Sequence, residues 1–419
     1  MNDDTNGRPT RRDCLRYGGA VVGGGLLAGC TAGEPSDSTS NTPTGAASGA
    51  ETPDSTATTA VSTTTDGSYS ASMAPVGEVA FDRVPREVMV YSLLYADMAV
   101  AYGHGESVNS LGFDAEAGGN TLDAYYERLD GVTFDRDGLT QLNTGSGSVA
   151  VDRELCYELD ADLHLVDPCL VLSFDGWDRT DVEDVRTNVG PWFGNVYSRA
   201  HGQPPEGCRE DYAYYTLWEI TERVASVFRA RSRYAELAAI RDDLVERIRS
   251  DLPPAEERPT VGSIIVTDGT FYPSTINAPG FGNAHVRPLG ATDAFAADDV
   301  TYETTYDYEA MLEVDPDVLL HQFGVASYYD VDATYEKLAD HPVGSRLTAV
   351  ETDRIYPSAN PVQGPLMNLF QLEMTAKQLY PERFGAWPDH THGEPYPEIP
   401  AAERLFDRDR VAAVVTGTP

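Results

Sequence analysis

The stretch that decides the fold begins at Asp211 and continues over residues 212–250 as YAYYTLWEITERVASVFRARSRYAELAAIRDDLVERIRS. It contains neither glycine nor proline, and Pro253 and Pro254 end it, because proline cannot continue a helix. Apolar residues recur at helical spacing, at Leu217, Ile220, Val224, Val227, Leu237, Ile240, Leu244 and Ile248. We therefore predict a helical spine between two lobes, with the functional cleft between those lobes.

Residues 229–232, RARS, interrupt the apolar stripe of this spine, and Ser232 is suited to cap a helix N-terminus. We therefore predict two helices. The first runs from Asp211 to Phe228 and closes the first lobe. The second runs from Ser232 to Ser250, about 28 Å at 1.5 Å per residue, and joins the lobes as a strut.

Strand patterns alternate with helix patterns on both sides of the spine. Strands are predicted at residues 86–91, 107–113, 161–166, 261–266, 317–320 and 354–356, and helices at 95–102, 152–159, 308–314, 332–340 and 364–379. This alternation predicts parallel strands with helices on both faces. The expected fold class is α/β, with two lobes of parallel-sheet sandwich joined by a single long rigid helix. The predicted boundaries are 79–228 for the first lobe, 229–252 for the inter-lobe helix and 253–385 for the second lobe.

One pattern occurs once in each predicted lobe. Residues 151–163 read VDRELCYELDADL, and residues 306–318 read YDYEAMLEVDPDV. Each predicts a short helix that opens with a glutamate, Glu154 or Glu309, and then a D-x-D turn and a buried strand. Two lobes built on one plan explain the repeat.

The charge balance is strongly acidic, with 67 acidic against 30 basic residues and a formal net charge of −37. Lys337 and Lys377 are the only lysines. Such a surface stays hydrated when salt screens its self-repulsion, since the Debye length is about 3 Å at 1 M salt. This composition indicates a source that lives at very high salt. Because the sequence has no basic patch, no nucleic-acid partner is expected.

The first thirty residues resemble a targeting signal. Residues 10–16, TRRDCLR, look like a twin-arginine export motif, and a short apolar run then leads to residues 27–30, LAGC, which resemble a lipobox. We predict a signal peptide over residues 1–30 and lipidation at Cys30; an uncleaved membrane anchor is the alternative. Residues 31–78 are rich in Ser and Thr and are predicted to be a disordered stalk. The expected location is the extracellular face of the cell membrane, with the protein lipid-anchored after twin-arginine export.

Three cysteines remain after such processing: Cys156, Cys169 and Cys208. They allow one disulfide and one free thiol, and the sequence leaves the pairing open. No C-x-x-C or Cys/His zinc spacing is present, so no structural zinc is expected. Residues 386–419 are predicted to be a tail rich in proline and acid. Its His390 and His392 fit either a solvated tail or a metal site.

The folded part, from residue 81 to residue 385, resembles the solute-binding proteins of ABC importers. It is most similar to the iron-siderophore, haem and cobalamin group, whose lobes are joined by a rigid helix. The residues that carry this resemblance are the opening strand over 85–90, PREVMV, the two units around Glu154 and Glu309, and residues 379–382, LYPE. The second unit keeps the Pro316–Asp317 pair of the family pattern, whereas the first has Ala161–Asp162.

This resemblance implies a receptor without enzymatic activity. It implies a monomer that captures a ferric siderophore, haem or cobalamin-like ligand and hands it to a permease dimer with its ATPase. Glu154 and Glu309 are the implied docking residues, because a carboxylate on each lobe can pair with arginines of the permease. A favourable helix dipole is the alternative reason for glutamates at these positions. The protein would need no cofactor of its own, although the ligand can contain iron or cobalt.

Candidate ligand contacts follow the carboxyl ends of the predicted strands, where clefts form in open α/β sheets. They are Tyr95, Trp192, Tyr197, Arg199, Tyr272, His285, Arg287, Gln322, Tyr328 and Asn360, with Tyr329 and Gln363 beside them. The tyrosines suit stacking on a large flat ligand, and the arginines suit a carboxylate or an anionic chelate. For each residue, ordinary packing is the alternative.

Two other functions are the alternatives. A receptor for a bare metal ion would draw on His201, His285 and His321. An exported α/β hydrolase would normally carry a G-x-S-x-G elbow or an H-E-x-x-H helix, and the sequence has neither.

Overall fold

The computed structural model describes residues 67–113, 118, 120–143, 151–197, 204–296, 300–301, 304–325 and 329–417. The helices in these ranges are α1 (Leu93–Ala101), α2 (Thr121–Tyr126), α3 (Arg153–Leu159), α4 (Pro168–Val171), α5 (Arg179–Asn188), α6 (Leu217–Val227), α7 (Arg231–Ser250), α8 (Tyr308–Val314), α9 (Val331–Asp340), α10 (Thr348–Glu351), α11 (Pro365–Leu379), α12 (Pro381–Phe384) and α13 (Arg408–Thr416). Within the described ranges, no helix is both long and apolar enough to cross a bilayer. The predicted signal peptide with Cys30, together with His201, Arg199 and Tyr328, lies outside them.

The first lobe is built on short parallel strands. They are β3 (Val88–Val90), β4 (Ser110–Leu111), β5 (Thr140–Gln141) and β6 (Leu163–Leu165). β3 pairs with β6 and β4 pairs with β5, while a bridge between Val88 and Val108 joins the two pairs. A further bridge from His164 to Trp192 extends the far edge. Every one of these pairings is parallel, as the alternation of strands and helices predicted.

The second lobe has a sheet of five strands. They are β7 (Thr260–Thr267), β8 (Thr270–Ser274), β9 (Thr292–Asp293), β10 (Val318–His321) and β11 (Ile355–Pro357). β11, β10 and β7 are parallel neighbours, and β9 runs parallel to the start of β7. The predicted α/β class with parallel sheets is confirmed. The antiparallel hairpin of β7 and β8 was not predicted, although its turn, Asp268–Gly269, is a strong hairpin signal.

The spine consists of two helices, and this predicted division is confirmed by α6 and α7. The break forms without glycine, because Arg229 takes a left-handed conformation with φ 54°. The prediction that Ser232 caps the second helix is wrong, since Ala230 occupies the N-cap position and α7 begins at Arg231. The first helix starts at Leu217 and not at Asp211. Thr216 caps it there in a reciprocal pair with Glu219.

The predicted stalk boundary at residue 78 is wrong. Strands β1 (Tyr69–Met73) and β2 (Gly77–Phe81) form an antiparallel hairpin that packs on α6. The segment YSASM buries Tyr69, Ala71 and Met73 and turns its serines outward. This alternation is the pattern of a half-buried strand. The prediction missed it because it relied on the Ser-rich composition of the segment.

The predicted tail over 386–419 is also wrong for its described part, residues 386–417. Tyr396, Ile399, Leu405 and Phe406 are buried, and α13 packs against α7. The Arg408 guanidinium reaches the Glu373 carboxylate of α11 at 2.8 Å, and both side chains are buried. Proline and charge dominate the composition of the segment, but its few apolar residues are the ones that enter the core.

The main hydrophobic core runs through both lobes without a break. It includes strands β3 and β6, the inner faces of α6 and α7, and parts of β7 and β10. Helix α11 lies at its centre, and all fifteen of its residues are buried. A second, smaller cluster, which includes Ile264, Phe271 and Met311, covers the other face of the second sheet. The lobes are therefore joined by packing as well as by the spine.

Candidate functional site

The carboxyl edge of the first sheet carries three of the aromatic residues predicted to contact ligand. Tyr95 is buried, and its hydroxyl donates to the Asn195 carbonyl at 2.8 Å. The Trp192 indole N–H donates to the Val182 carbonyl at 2.9 Å, and Tyr197 is 1% exposed. The structure thus places these three side chains in the core, where Tyr95 and Trp192 form hydrogen bonds within the protein.

Two of the residues predicted to contact ligand in the second lobe, Arg287 and Gln322, form hydrogen bonds within the protein. Arg287 donates to the carbonyls of Ala278 and Gly280, at 2.7 and 3.1 Å. Gln322 is buried and donates to the Ser263 hydroxyl at 2.9 Å. These contacts hold the loop after β8 and the end of β10 in place.

Two of the predicted residues, His285 and Gln363, are in direct contact. The Gln363 amide nitrogen lies 3.0 Å from His285 Nδ1, and Asn368 of α11 donates to Gln363 Oε1 at 2.8 Å. Burial lowers the pKa of His285 to about 3, so its ring is neutral at physiological pH. Asn360 accepts a hydrogen bond from the backbone N–H of Val362. This cluster is a buried polar network and not an exposed contact surface.

The same network reaches the spine. The Trp218 indole N–H on α6 donates to Asn368 Oδ1 at 3.1 Å. The Gln371 amide of α11 lies 3.2 Å from the Tyr125 hydroxyl of α2. Polar groups of α11 are therefore hydrogen-bonded to α2 of the first lobe and to the spine helix α6.

Tyr272 and Tyr329 are the remaining described candidates. Tyr272 is half-buried on β8, next to the hairpin turn. Tyr329 is 8% exposed, and its ring lies against His321 and Phe323. Among the described tyrosine candidates, Tyr272 thus has the most exposed side chain.

The two repeated units have matching structures. Asp152 caps α3 and Asp307 caps α8, and each helix spans seven residues. Each ends at an aspartate in the left-handed conformation, Asp160 with φ 43° and Asp315 with φ 41°. The strands that follow, β6 and β10, occupy matching places in their sheets, since each runs parallel to the strand that opens its lobe's sheet, β3 or β7. The predicted internal repeat is confirmed.

The second aspartate of each D-x-D turn fixes the register of its sheet. Asp162 accepts backbone N–H groups of Arg86 and Glu87, just before β3. Asp317 accepts the backbone N–H of Thr260, at the start of β7, at 2.7 Å. In both lobes the carboxylate ties one strand to the start of its parallel neighbour. The D-x-D turn therefore holds neighbouring strands in register, a structural role that the spacing of its residues in the sequence did not indicate.

Glu154 and Glu309 occupy the first turns of α3 and α8, and both are exposed. Among the described residues, neither carboxylate has a hydrogen bond or an ion pair. A helix that leads into a parallel strand runs back along the sheet, so its first turn lies towards the carboxyl edge. Each lobe thus presents one exposed carboxylate at the carboxyl edge of its sheet.

Two surface grooves lie on the first lobe, away from the predicted ligand residues. One, of about 510 Å³, is lined by residues of α2 and of the loop 127–134. The other, of about 350 Å³, lies between residues 80–85, Asp162 and Pro191. None of the predicted ligand residues lines either groove.

Metal ligands are not grouped in the part of the chain that the structure describes: no three His, Cys, Asp or Glu side chains are placed to hold one ion. His321 Nε2 accepts the backbone N–H of Val266 at 3.1 Å, and its Nδ1 lies 2.9 Å from the Gln322 carbonyl oxygen. Both ring nitrogens of His321 are therefore engaged within the protein.

The three cysteines that the structure describes form one disulfide, Cys169–Cys208, and leave Cys156 free and buried. The predicted count of one bridge and one thiol is confirmed, and the structure supplies the pairing that the sequence left open.

This fold is similar to those of solved periplasmic binding proteins. A periplasmic binding protein from Veillonella parvula matches with a TM-score of 0.52 at 14% identity, covering 75% of this chain and 97% of that one. A periplasmic solute binding protein from Mycobacterium smegmatis matches with a TM-score of 0.52 at 15% identity, covering 75% and 98%. An iron uptake ABC transporter substrate-binding protein from Streptococcus pneumoniae matches with a TM-score of 0.50 at 14% identity, covering 73% and 96%.

The chain therefore has the two-lobe fold of periplasmic solute-binding proteins. No protein-family model matches its sequence, and no curated protein matches it significantly. At these levels of identity the likeness establishes the fold, while the ligand and the partner have to be argued from the residues.

Proposed function

We propose that this protein is the extracytoplasmic solute-binding component of an ABC importer. It captures a ferric siderophore, haem or cobalamin-like ligand between its lobes and delivers it to a permease dimer that works with its ATPase. The observation that carries the proposal is the pair of matching units, which present Glu154 and Glu309 on separate lobes as exposed carboxylates without a partner among the described residues. The S. pneumoniae neighbour, an iron uptake protein, supports iron as part of the cargo.

Docking through charge pairs would explain why Glu154 and Glu309 have no hydrogen bond or ion pair among the described residues. An exposed carboxylate with no partner in its own protein can pair with a permease arginine without first losing an internal contact. Two such pairs, one on each lobe, fix the orientation of the receptor on a dimeric permease. The docking surface is thus defined by Glu154, Glu309 and the first turns of α3 and α8.

The docking test combines Glu154→Ala with Glu309→Ala and measures ligand affinity and uptake separately. Affinity should stay within about twofold of wild type, while uptake in the native host should fall at least tenfold, since a good charge pair contributes on the order of 1.4 kcal/mol or more. The matched control is Glu158→Ala with Glu313→Ala, which removes two equivalent exposed carboxylates of the same helices. Equal uptake by the two double variants would refute the docking role.

The ligand test uses the quenching of tyrosine and tryptophan fluorescence at high salt, with a ferric hydroxamate, a ferric catecholate, haem and cobalamin as probes. One of these should bind tightly in a 1:1 complex. Arg199 and Tyr328, with Tyr272, are the proposed contacts, so their alanine variants should weaken that binding. Failure to bind any probe, together with turnover of an ester or a peptide, would replace the receptor with the exported hydrolase.

The membrane anchor is part of the same proposal. Lipidation at Cys30 after twin-arginine export would tether the receptor next to its permease. Cys30→Ser should move the protein from the membrane fraction to the medium, and Arg11→Lys with Arg12→Lys should block export. A protein that stays in the membrane fraction after Cys30→Ser would show that the uncleaved segment is the anchor.

A further inference from the structure

A buried carboxylate of the first lobe caps α11, the helix that follows the last strand of the second lobe's sheet and packs against α1, α2, α6 and α7. Asp97, on α1, has a fully buried side chain. Its Oδ2 accepts the backbone N–H groups of Leu366 at 2.9 Å and Met367 at 3.2 Å, in the first turn of α11. Its Oδ1 accepts the hydroxyl of Tyr126. Both hydrogen bonds to Oδ2 therefore come from α11, which lies in the segment predicted to form the second lobe.

Helix α11 has no cap of its own. Its N-cap position is Gly364, which has no side chain to accept the free N–H groups of the first turn. A side chain at position 364 could not fit, because its Cβ would collide with the Asp97 carboxylate. Asp97 and Gly364 are therefore complementary: one supplies the cap, and the other leaves room for it.

Further bonds cross between the lobes beside this cap. Helix α1 follows β3 of the first lobe, and α11 follows β11 of the second lobe. The Tyr396 backbone N–H donates to the Ala124 carbonyl of the first lobe at 2.9 Å, while its hydroxyl donates to Glu373 of α11 at 3.0 Å. This bridge through Tyr396 and the Asp97 cap would both break if the first lobe and α11 moved apart. The spine is therefore one of several connections between the lobes.

We propose that Asp97 is an inter-lobe latch, which holds α11 against α1 and so fixes the angle between the two lobes. Opening the lobes at this side would leave two N–H groups of α11 and the Asp97 Oδ2 atom without their partners in a buried place. The latch is a positioning device: Asp97 acts on the lobes and does not contact a ligand. The proposal holds whichever solute the lobes carry.

The test measures the distance between two spin labels, one on each lobe, in the full chain at high salt. The labels are attached through Asp184→Cys on α5 and Glu336→Cys on α9, two exposed positions. Cys14 and Cys30 are replaced by serine in the labelled chain. The remaining native cysteines do not compete, because Cys169 and Cys208 form the disulfide and the buried Cys156 thiol has its pKa raised to about 12.

Asp97→Ala should shift the mean label distance by more than about 2 Å, the scale of a domain rearrangement. Asp97→Asn should keep the wild-type distance, since its amide oxygen can still accept from α11 while its nitrogen donates to Tyr126. The matched control is Asp167→Ala. Asp167 is equally buried, and it accepts two backbone N–H groups and the Tyr212 hydroxyl, but all three donors belong to the first lobe.

A wild-type distance in Asp97→Ala would overturn the proposal, as would an equal shift in Asp167→Ala. If Asp97→Ala does not fold, Gly364→Ala decides the question, because its methyl group pushes the Asp97 carboxylate away from α11. An unshifted distance in Gly364→Ala would then refute the latch. A shift in that variant, absent from the Asp167 control, would support it.

Discussion

Replacing Asp97 by asparagine should change how the stability of the protein depends on pH. Burial raises the pKa of the Asp97 carboxyl to about 7, although hydrogen bonds from Tyr126, Met367 and Leu366 lower it. The folded state therefore binds this proton more tightly than the unfolded state. The resulting stabilisation is fully present below the unfolded pKa, near 4, and is lost as the pH rises to about 7.

The magnitude follows from the two pKa values. The interval from 3.8 to about 7 is roughly three units, and each unit corresponds to 1.36 kcal/mol, so the wild type should lose about 4 kcal/mol across it. The titratable groups that interact with Asp97 are Tyr102, Tyr125 and Tyr126. Burial raises the pKa of each of these tyrosines above its ordinary value, so all three stay neutral over this range.

The assay is urea unfolding of the wild type and Asp97→Asn at a fixed high salt concentration, from pH 4 to pH 8. The stability of the wild type, measured relative to the variant, should fall as the pH rises and level off above about pH 7. Other titrating groups, such as Asp167, are common to both proteins and cancel in the difference. A difference that stays constant across this range would refute the reasoning, because it would mean that Asp97 has the same pKa in both states.

Three other substitutions test the contacts that hold the fold. Cys208→Ser should cost about 4 kcal/mol of unfolding free energy, because the disulfide closes a loop of about 40 residues, and reducing agent should then no longer affect stability. Arg408→Ala should cost about 3–5 kcal/mol, since it leaves the Glu373 carboxylate buried without its charge partner; adding Glu373→Gln should recover part of the loss in urea unfolding. Thr216→Ala should cost about 1 kcal/mol, seen as a lower midpoint, because α6 loses its reciprocal cap with Glu219.

Local patterns in the sequence predicted the elements and their order. The two repeated units were visible because their signals lie within thirteen residues: a capping aspartate, a short helix, a left-handed aspartate and a strand. The break in the spine was also visible, since the apolar stripe stops at residues 229–232. The capping residue was misplaced because Arg229, which is not a glycine, adopts the left-handed turn.

Burial of the candidate ligand residues could not be predicted from local pattern. Tyr95 follows a strand, as a cleft residue would, but its partner Asn195 lies 100 positions away. An aromatic residue at the end of a strand can either pack in the core or line a cleft. Which of the two it does depends on its tertiary neighbours, which a local pattern does not show. The same holds for Asp97, which is separated by 269 positions from Leu366. The available clue was Gly364–Pro365, a helix start that has no capping side chain of its own.

The shared core and the latch bear on how a receptor of this design would signal to its permease. If the lobes were free to close, the separation of Glu154 and Glu309 would differ between the loaded and the empty protein. If the shared core and the proposed Asp97 latch fix the angle between the lobes, the two carboxylates keep one spacing. The docking surface would then be preformed, and loaded and empty receptors would dock in the same orientation. Discrimination would have to come from the ligand itself or from the loops at the carboxyl edges. Asp97→Ala should therefore weaken docking to the permease even when the ligand affinity is unchanged, because it lets the spacing of the two glutamates vary.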